Sequence, residues 1–256
     1  MSNLIISKTI KLNIRYVHMN LMSDTYQKTV YSQSIEQNDI VRNEILRDII
    51  KNIVKTPGQN LLDVGCGNGH LLAPFVPFHN CYGVDLVESS LLIAKSKGIA
   101  TYYTNLEKET LPFQSNFFDL TVCSEVIEHI CNTDNLLNEL NRVIRKNGYL
   151  ILTFPNVNQP ISWLAQIVFD FPPVYSARYK SPHVRDFTLR IIKKILPVFG
   201  FDIKNVRGTD LYPSVGKLSQ WVAKNIPRVS EKIVVVSTKK RKPQKTANVI
   251  WDTRLL

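Results

Sequence analysis

Three glycines at alternate positions stand between a short apolar strand and a second apolar segment, in the stretch L-L-D-V-G-C-G-N-G-H-L-L from Leu61 to Leu72. A strand that turns sharply into a helix, with side chains absent where a ligand touches the backbone, is typical of a site for an anionic group. The N–H groups of the helix N-terminus would favour such a ligand. An acid, Asp63, lies two residues before the first glycine. A dinucleotide-binding turn and a tight turn without a ligand are the alternatives.

A second acid, Asp85, ends the apolar stretch C-Y-G-V-D about twenty residues after the first of these glycines. In a doubly wound sheet this position lies at the carboxyl edge of the neighbouring strand, where a carboxylate accepts hydrogen bonds from ribose hydroxyls. Asp85 is therefore the candidate ribose ligand, with Leu86 beside it. The alternative is that Asp85 caps the helix predicted to begin near Glu88.

Two carboxylates and an imidazole follow the fourth predicted strand, in E-V-I-E-H-I. If Glu125 begins a helical turn, Glu128 and His129 share its face because they lie three and four residues further along. Such a trio is half of a divalent-cation site, and His183, in S-P-H-V-R-D-F-T, is the candidate further ligand. Without a metal, His129 can orient a substrate or act as a general base near neutral pH, and Glu128 can cap or pair locally.

The sequence D-V-G-C-G-N-G resembles motif I of the class I S-adenosylmethionine-dependent methyltransferases, and the likeness extends over about residues 49–238. The resemblance implies S-adenosyl-L-methionine as the cofactor. It also implies that the segment after the third strand holds the adenine, where Asn105 stands in the place of the usual acid. The residues implied to bind the cofactor are Asp63, Gly65, Cys66, Gly67, Asn68, Gly69, Asp85, Leu86, Asn105, Leu106 and Ser124.

The motif E-V-I-E-H resembles that of the ubiquinone-pathway O-methyltransferases and, less closely, that of the small-RNA 3′-terminal 2′-O-methyltransferases. In the RNA enzymes two glutamates and a histidine of this motif, with a later histidine, hold a magnesium ion. Carried over to this chain, the ligands of Mg²⁺ or Mn²⁺ would be Glu125, Glu128, His129 and His183. The candidate catalytic residues are His129, Glu125 and His183.

Strands and helices alternate five times along the chain, and a final pair of strands follows. We therefore predict an α/β fold with a doubly wound, mostly parallel sheet. The resemblance implies a seven-stranded, Rossmann-like class I methyltransferase fold, and the chain adds an inserted lid to it. Besides the helix expected from Leu71, helices are predicted at 40–54, 88–97, 134–146, 188–199 and 217–224, and strands at 61–64, 81–85, 100–104, 117–124, 149–154, 201–207 and 231–238.

The methyltransferase-like domain is predicted at residues 40–238, between an N-terminal extension at 1–39 and a basic C-terminal tail at 239–256. Insertions are expected at about 157–187 and 209–229. The first is irregular and rich in aromatic residues and prolines. It is interpreted as an apolar lid over the site, with a small core of the insertion itself as the alternative.

Composition narrows the class of protein. With 256 residues and 44% hydrophobic content the chain can bury a full core, and no stretch approaches the ~20 apolar residues of a membrane span. The first residues lack a signal-peptide pattern and the four cysteines form no C-x-x-C pair, so we expect a cytoplasmic protein with reduced thiols. The net charge of +11, part of it at 239–245, suggests contact with nucleic acid or peripheral contact with an anionic membrane, with a solvated tail as the alternative.

The sulfonium of the implied cofactor is already activated, so methyl transfer needs mainly in-line positioning, but an oxygen acceptor must also lose its proton. The cluster of glutamates and histidine therefore favours O-methylation, of a hydroxyl on a small metabolite, sugar or lipid-linked acceptor. Two alternatives stay open. One is a metal-dependent RNA 2′-O-methyltransferase, which the positive charge favours; the other is a non-catalytic protein that binds the cofactor and serves a partner.

Overall fold

The computed structural model describes residues 40–170, 183–211 and 216–243 of the chain. The α-helices of this part are α1 (Ile40–Ile53), α2 (Glu88–Ser96), α3 (Thr133–Val143), α4 (Pro160–Phe169), α5 (Leu189–Val198) and α6 (Lys217–Asn225). Its strands are β1 (Asn60–Val64), β2 (Asn80–Asp85), β3 (Ala100–Tyr103), β4 (Phe118–Ser124), β5 (Ile144–Pro155), β6 (Phe201–Gly208) and β7 (Lys232–Lys239). The predicted extension 1–39, the tail from 244 and parts of both predicted insertions, 171–182 and 212–215, lie outside the described residues.

The strands form one seven-stranded sheet in the order β3-β2-β1-β4-β5-β7-β6. Strands β1 to β5 pair in parallel, and β7 runs antiparallel to both β5 and β6. The predicted α/β fold with a mostly parallel, seven-stranded sheet is confirmed. The crossovers between parallel strands require connections that cover both faces of the sheet, which is why the strands read as continuous apolar runs.

Hydrophobic residues are buried on both faces of the sheet. On one face Leu62 of β1 packs in a cluster with residues of α3 and α5. On the other face Leu61 packs in a second cluster, with Leu46 and Ile50 of α1. The side chains of adjacent residues of β1 therefore pack into cores on opposite faces of the sheet, as the alternation along a strand requires.

The order of the strands reverses between β1 and β4, which are neighbours in the sheet. From β1 the chain winds outward through β2 to β3, and from β4 it winds the other way through β5. A crevice opens at the carboxyl ends of the strands at such a point. The register pairs Val64 with Cys123, so the glycines after β1 and the residues after β4 begin at the same level of this crevice.

The helix expected directly after the glycines is not formed. Ala73–Phe75 makes only a short 3₁₀ helix, with no side-chain cap at its start. Pro74 and Pro77 explain this difference, because each lacks the N–H that an α-helix interior needs and each crowds the preceding turn. The expected contribution of an α-helix N-terminus to anion binding is therefore absent from this loop.

Two further differences concern the second half of the sheet. The predicted helix 134–146 ends at Val143, because Ile144 already pairs with Phe118 in the sheet and its carbonyl accepts a 2.6 Å hydrogen bond from Lys239 Nζ. The insertion expected to be irregular begins with helix α4, whose first residue is a proline, a favourable first position in a helix. Among the described helices none has both the length and the apolar character needed to cross a membrane.

Candidate functional site

The glycine loop leaves β1 with positive φ at Gly65, Gly67 and Gly69, so its backbone follows a path that other residues adopt at a cost. A Cβ on Gly65 would lie 2.4 Å from Val126 Cγ2, which brings this glycine against the segment after β4. A Cβ on Gly67 would meet no atom within 4 Å. The space over Gly67 is therefore where a ligand can approach the backbone of the loop.

Asp85, at the end of β2, holds the glycine loop in place. Its Oδ2 accepts a 2.8 Å hydrogen bond from the backbone N–H of Gly67, and its Oδ1 accepts a 2.9 Å bond from that of Val87. Neither bond makes it the N-cap of α2, since the residue at that position is Val87. Each carboxylate oxygen has a further lone pair. Asp85 can thus hold the loop and still accept from the hydroxyls of a ribose.

The acid that precedes the loop, Asp63, is 4% exposed. Burial raises its pKa to about 7; the charge of Asp85 adds to the rise and that of Arg42 opposes it. Asp63 therefore changes its charge near neutral pH, at the edge of the sheet where Gly65 begins. The main cause is burial of the carboxyl, and the pairing of β1 with β2 adds the charge of Asp85.

The predicted adenine segment follows β3. Asn105 is nearly buried, and its side-chain carbonyl accepts a 3.1 Å hydrogen bond from the backbone N–H of Glu107. Glu107 in turn accepts hydrogen bonds from the backbone N–H groups of Cys131 and Asn132, beyond the E-V-I-E-H motif. The segment after β3 is thus joined to the segment after β4 by hydrogen bonds, and Leu106 packs against the hydrophobic core.

Glu125 does not begin a helical turn. Its φ is +55°, in the left-handed region, and the 3₁₀ helix of the motif starts only at Ile127. Its Oε1 accepts a 2.8 Å hydrogen bond from Thr153 Oγ1, and its Oε2 lies 3.5 Å from Lys232 Nζ and 3.8 Å from Arg42 Nη1. Burial alone would raise its pKa, but these two cations and the hydroxyl outweigh burial and lower it. Glu125 is therefore an ionised, fully engaged carboxylate.

Glu128, His129 and His183 come together as a group whose potential metal-ligand atoms lie within 4.8 Å of one another. Glu128 is 1% exposed, and neither of its carboxylate oxygens has a hydrogen-bond partner in the part of the chain that the structure describes. Burial, and next the charge of Glu125, raise the pKa of Glu128 well above its usual range. The structure therefore joins three of the four residues proposed as metal ligands, and the fourth, Glu125, is not in the group.

His183 reaches this group from a distant part of the chain. The backbone carbonyl of Glu128 accepts hydrogen bonds from the N–H groups of Val184 and Arg185, at 2.9 and 3.1 Å. Arg185 Nη2 also donates to the carbonyl of Cys131. These bonds hold the segment that begins at His183 along the 3₁₀ helix, and the rings of His129 and His183 lie 4.8 Å apart, centre to centre.

The remaining predicted cofactor residues also lie along the crevice. Cys66 is buried inside the loop, the carbonyl of Asn68 accepts a 2.8 Å hydrogen bond from Lys97 Nζ, and Ser124 Oγ lies 2.9 Å from Thr153 Oγ1. Leu86 lies between Asp85 and the start of α2, and it is half-buried.

Sequence reasoning missed two residues of the site, Arg42 on α1 and Lys232 at the start of β7. Both place cations at Glu125. Neither stands in a motif. Lys232 lies near Glu125 because β7 pairs antiparallel with β5, which places Lys232 opposite Pro155. Arg42 lies near Glu125 because α1 packs on one face of the sheet. The predicted final strand at 231–238 was the available signal for Lys232.

Residues 62–152 match the family model described as a methyltransferase domain. The ubiquinone/menaquinone biosynthesis C-methyltransferase of Cupriavidus metallidurans is 29% identical over 150 residues, which are 50% of this chain and 61% of that protein. The ubiquinone biosynthesis O-methyltransferase of Dechloromonas aromatica is 31% identical over 132 residues, 49% of this chain and 56% of that protein. The match thus spans less than two thirds of the length of either relative.

Among solved structures, an S-adenosylmethionine-dependent methyltransferase of Mesorhizobium loti is similar with a TM-score of 0.57 at 17% identity, over 77% of this chain and 97% of its own. This likeness shows the fold. Together with the sequence matches it confirms the Rossmann-like class I methyltransferase fold that motif I indicated and the resemblance to ubiquinone-pathway enzymes that E-V-I-E-H indicated.

Proposed function

Because the chain has the class I methyltransferase fold and a methyltransferase domain at residues 62–152, we propose that it transfers a methyl group from S-adenosyl-L-methionine to a hydroxyl of a small or lipid-linked acceptor. The observation that carries this proposal is the position of Glu128, His129 and His183 in the crevice that also contains the glycine loop. A cofactor on that loop would present its methyl group toward the ends of β1 and β4, where this group lies.

The cofactor's parts find complementary chemistry along the crevice. The ribose hydroxyls can donate to Asp85, and the backbone of the loop is open at Gly67. The cofactor's ammonium and sulfonium are positive and its carboxylate is negative. Asp63, when ionised, and Arg42 offer the opposite charges, and Arg42 lies close enough to lower the pKa of Asp63. We propose Arg42 as the partner of the cofactor's carboxylate.

The reaction forms an O–CH₃ bond and breaks the S–CH₃ bond of the sulfonium, which leaves as neutral S-adenosylhomocysteine. The hydroxyl proton must go to a base. His129 is the proposed base, because it is 8% exposed and its Nε2 lies 3.7 Å from Glu128 Oε1, which can stabilise the protonated ring. The names of the two relatives include a C- and an O-methyltransferase; the residues around the base favour oxygen here.

Glu128, His129 and His183 also fit a divalent metal ion. A carboxylate that is buried without a hydrogen bond is unfavourable unless a proton or a cation compensates it. Two imidazoles and one carboxylate suit a transition ion such as Mn²⁺ better than Mg²⁺, which prefers oxygen ligands. With such an ion bound, His129 would be a ligand in place of the base, and the ion would activate the acceptor hydroxyl by lowering its pKa. Since Glu125 is already engaged, we assign the site three protein ligands.

The RNA 2′-O-methyltransferase alternative is supported by the net charge of +11. It predicts steep weakening of RNA binding with salt, because each phosphate contact releases counterions. Filter binding of a single-stranded RNA at two salt concentrations discriminates: binding that is absent at low salt excludes this alternative.

The experiment that tests the proposed function is calorimetric titration of S-adenosylmethionine into the chain, with and without Mn²⁺, on the wild type and on Glu128→Ala. We expect cofactor binding in both proteins and metal binding in the wild type only. The exposed Glu44 of α1 supplies the matched control, Glu44→Ala. Absence of cofactor binding in the wild type would contradict the methyltransferase assignment, and metal binding retained by Glu128→Ala would contradict the three-ligand site.

A further inference from the structure

A cationic cleft of about 400 Å³ lies beside the carboxyl end of β5, at the N-terminus of α5. Its walls include Arg190, Lys193, Lys194, Arg228, Asn156 and Asn158. No carboxylate is among the described residues that line it. The cleft differs from the group around Glu128, which is built from an acid and two imidazoles.

The cations converge from two elements. Arg190, Lys193 and Lys194 lie at positions i, i+3 and i+4 of α5, so they share one face of that helix, and Arg228 comes from the 3₁₀ helix 227–229. Guanidinium groups bind phosphate in a bidentate manner and ammonium groups bind it as point charges. The N-terminus of α5 adds partial positive charge on the same side. A phosphoryl group is the ligand that this chemistry recognises.

One wall of the cleft is fixed by Asn156, which is fully buried directly after β5. Its Nδ2 donates to the carbonyls of Arg228 and Ser230, both at 2.9 Å, and its Oδ1 accepts from the N–H of Asn158. The backbone that carries Arg228 is therefore held to the end of β5. The same strand contributes Thr153, three residues before Asn156 in the chain, which donates a hydrogen bond to Glu125.

An apolar helix borders the cleft. Trp163 Nε1 of α4 donates a 2.9 Å hydrogen bond to Asn158 Oδ1, so α4 is joined directly to the cleft wall. Helix α4 contains no charged residue, yet Leu164, Ile167 and Phe169 are 54%, 84% and 71% exposed. Asn158 therefore lines the cationic cleft and also accepts a hydrogen bond from the uncharged, exposed apolar helix α4.

We propose that the cleft and helix α4 bind one amphiphile, with its phosphoryl group among Arg190, Lys193, Lys194 and Arg228 and its apolar chain along α4. Charge complementarity selects the head group, and the absence of charge on α4 selects an alkyl or prenyl chain. An RNA strand would place further phosphates along α4, and the helix itself carries no cation to meet them. The identification of this amphiphile as the methyl acceptor rests on the proposed function; the binding itself does not.

The test is calorimetric titration of decyl phosphate, below its micelle-forming concentration, into the full chain, with inorganic phosphate and decanol as the head-only and chain-only probes. We expect decyl phosphate to bind more tightly than either.

The double variant Arg190→Gln, Lys193→Gln should weaken decyl phosphate binding by about tenfold per cation removed. Ile167→Ser should weaken it roughly fivefold and leave inorganic phosphate unaffected. Lys146→Gln and Leu92→Ser, both exposed elsewhere, are the matched controls.

Three results would overturn the inference: decyl phosphate binding unchanged in the double variant, inorganic phosphate binding as tightly as decyl phosphate, or non-saturable adsorption to phosphatidylglycerol vesicles in place of binding to the monomeric amphiphile. The last would indicate a general bilayer surface. Titration of S-adenosylmethionine on the same samples separates the two proposals, since a failure to bind the cofactor speaks against methyl transfer and leaves the phosphate result standing.

Discussion

The carboxylate of Glu128 lies 3.7 Å from Nε2 of His129 and is almost completely buried, and neither of its oxygens has a hydrogen bond from a described residue. Burial and the charge of Glu125 hold its pKa well above the usual range of a glutamate. Without a cation, Glu128 is therefore protonated in the folded protein at pH values where the unfolded chain has already released the proton.

This difference makes Glu128→Gln a stabilising change in a metal-free buffer. The folded-state pKa is raised, so the contribution of Glu128 is fully favourable below the unfolded value and is lost as pH rises toward the folded one. Glutamine has the same shape and no proton to lose. At pH 8 we expect the free energy of unfolding of the variant to exceed that of the wild type by on the order of 1 kcal/mol. At pH 4 the two free energies should be equal.

Urea denaturation at several pH values, with a chelator present, measures this difference, and Glu44→Gln is the exposed control. Adding Mn²⁺ should reverse the order, because an ion that binds only the folded wild type stabilises only that protein. Parallel pH profiles for the wild type and Glu128→Gln would contradict the assignment of a buried, protonated carboxyl.

The raised pKa of Asp63 predicts that the affinity for the cofactor depends on pH. Burial, aided by the charge of Asp85, raises its pKa to about 7, so the carboxylate is neutral below that pH and negative above it. Because the cofactor carries a positive ammonium and sulfonium, affinity should rise from pH 6 to pH 8, by less than about tenfold per pH unit, the limit for one proton.

Calorimetric Kd values for S-adenosylmethionine across this range test the prediction. Asp63→Asn should bind more weakly at pH 8 and show a flat profile between pH 6 and pH 8. If the variant keeps the slope of the wild type, another group is responsible for it.

The sequence predicted the parts of the site that are local in the chain. The strand, the glycines and Asp85 follow from a short motif and from the length of one βα unit, and the sheet order then brings the end of β4 beside them. The helix expected from Leu71 was wrong: Pro74 and Pro77 disfavour an α-helix there, and only a 3₁₀ helix forms at Ala73–Phe75. What the motif could not reveal is the left-handed φ of Glu125.

That backbone angle depends on distant residues. Glu125 turns away from Glu128 toward Thr153 and Lys232, which belong to β5 and β7, and toward Arg42 of α1. Spacing along the chain carries no information about partners that arrive through an antiparallel strand or a packed helix. The helical arrangement expected for Glu125, Glu128 and His129 is therefore not formed. Glu125 is a salt-bridged carboxylate, whereas Glu128 lies beside His129 and receives no hydrogen bond from a described residue.

Asp85→Ala should abolish cofactor binding and also loosen the glycine loop. The side chain accepts hydrogen bonds from the N–H groups of Gly67 and Val87, and losing them costs about 1–3 kcal/mol for each buried donor left unpaired. Asp85→Asn keeps one carbonyl acceptor and should fold more stably than the alanine variant, with cofactor affinity at least about tenfold below the wild type. Unchanged affinity in Asp85→Ala, measured by calorimetry, would contradict the ribose assignment.

Alanine variants of two glycines in the loop should distinguish a loss of folding stability from a loss of cofactor binding. A Cβ on Gly65 would lie 2.4 Å from Val126, in contact with the protein itself, whereas a Cβ on Gly67 would enter open space. Both glycines have positive φ, which costs an alanine about 1–2 kcal/mol.

Gly65→Ala should therefore lower the melting temperature more than Gly67→Ala, because only its Cβ clashes with the protein. Gly67→Ala should fold yet lose affinity for S-adenosylmethionine, because its methyl group occupies the space through which the ligand reaches the backbone. Thermal unfolding and cofactor titration of both variants test this, with Gly58→Ala, another positive-φ glycine with open space around it, as the control for backbone strain. Gly67→Ala that binds the cofactor as tightly as Gly58→Ala would show that the ligand does not approach the loop there.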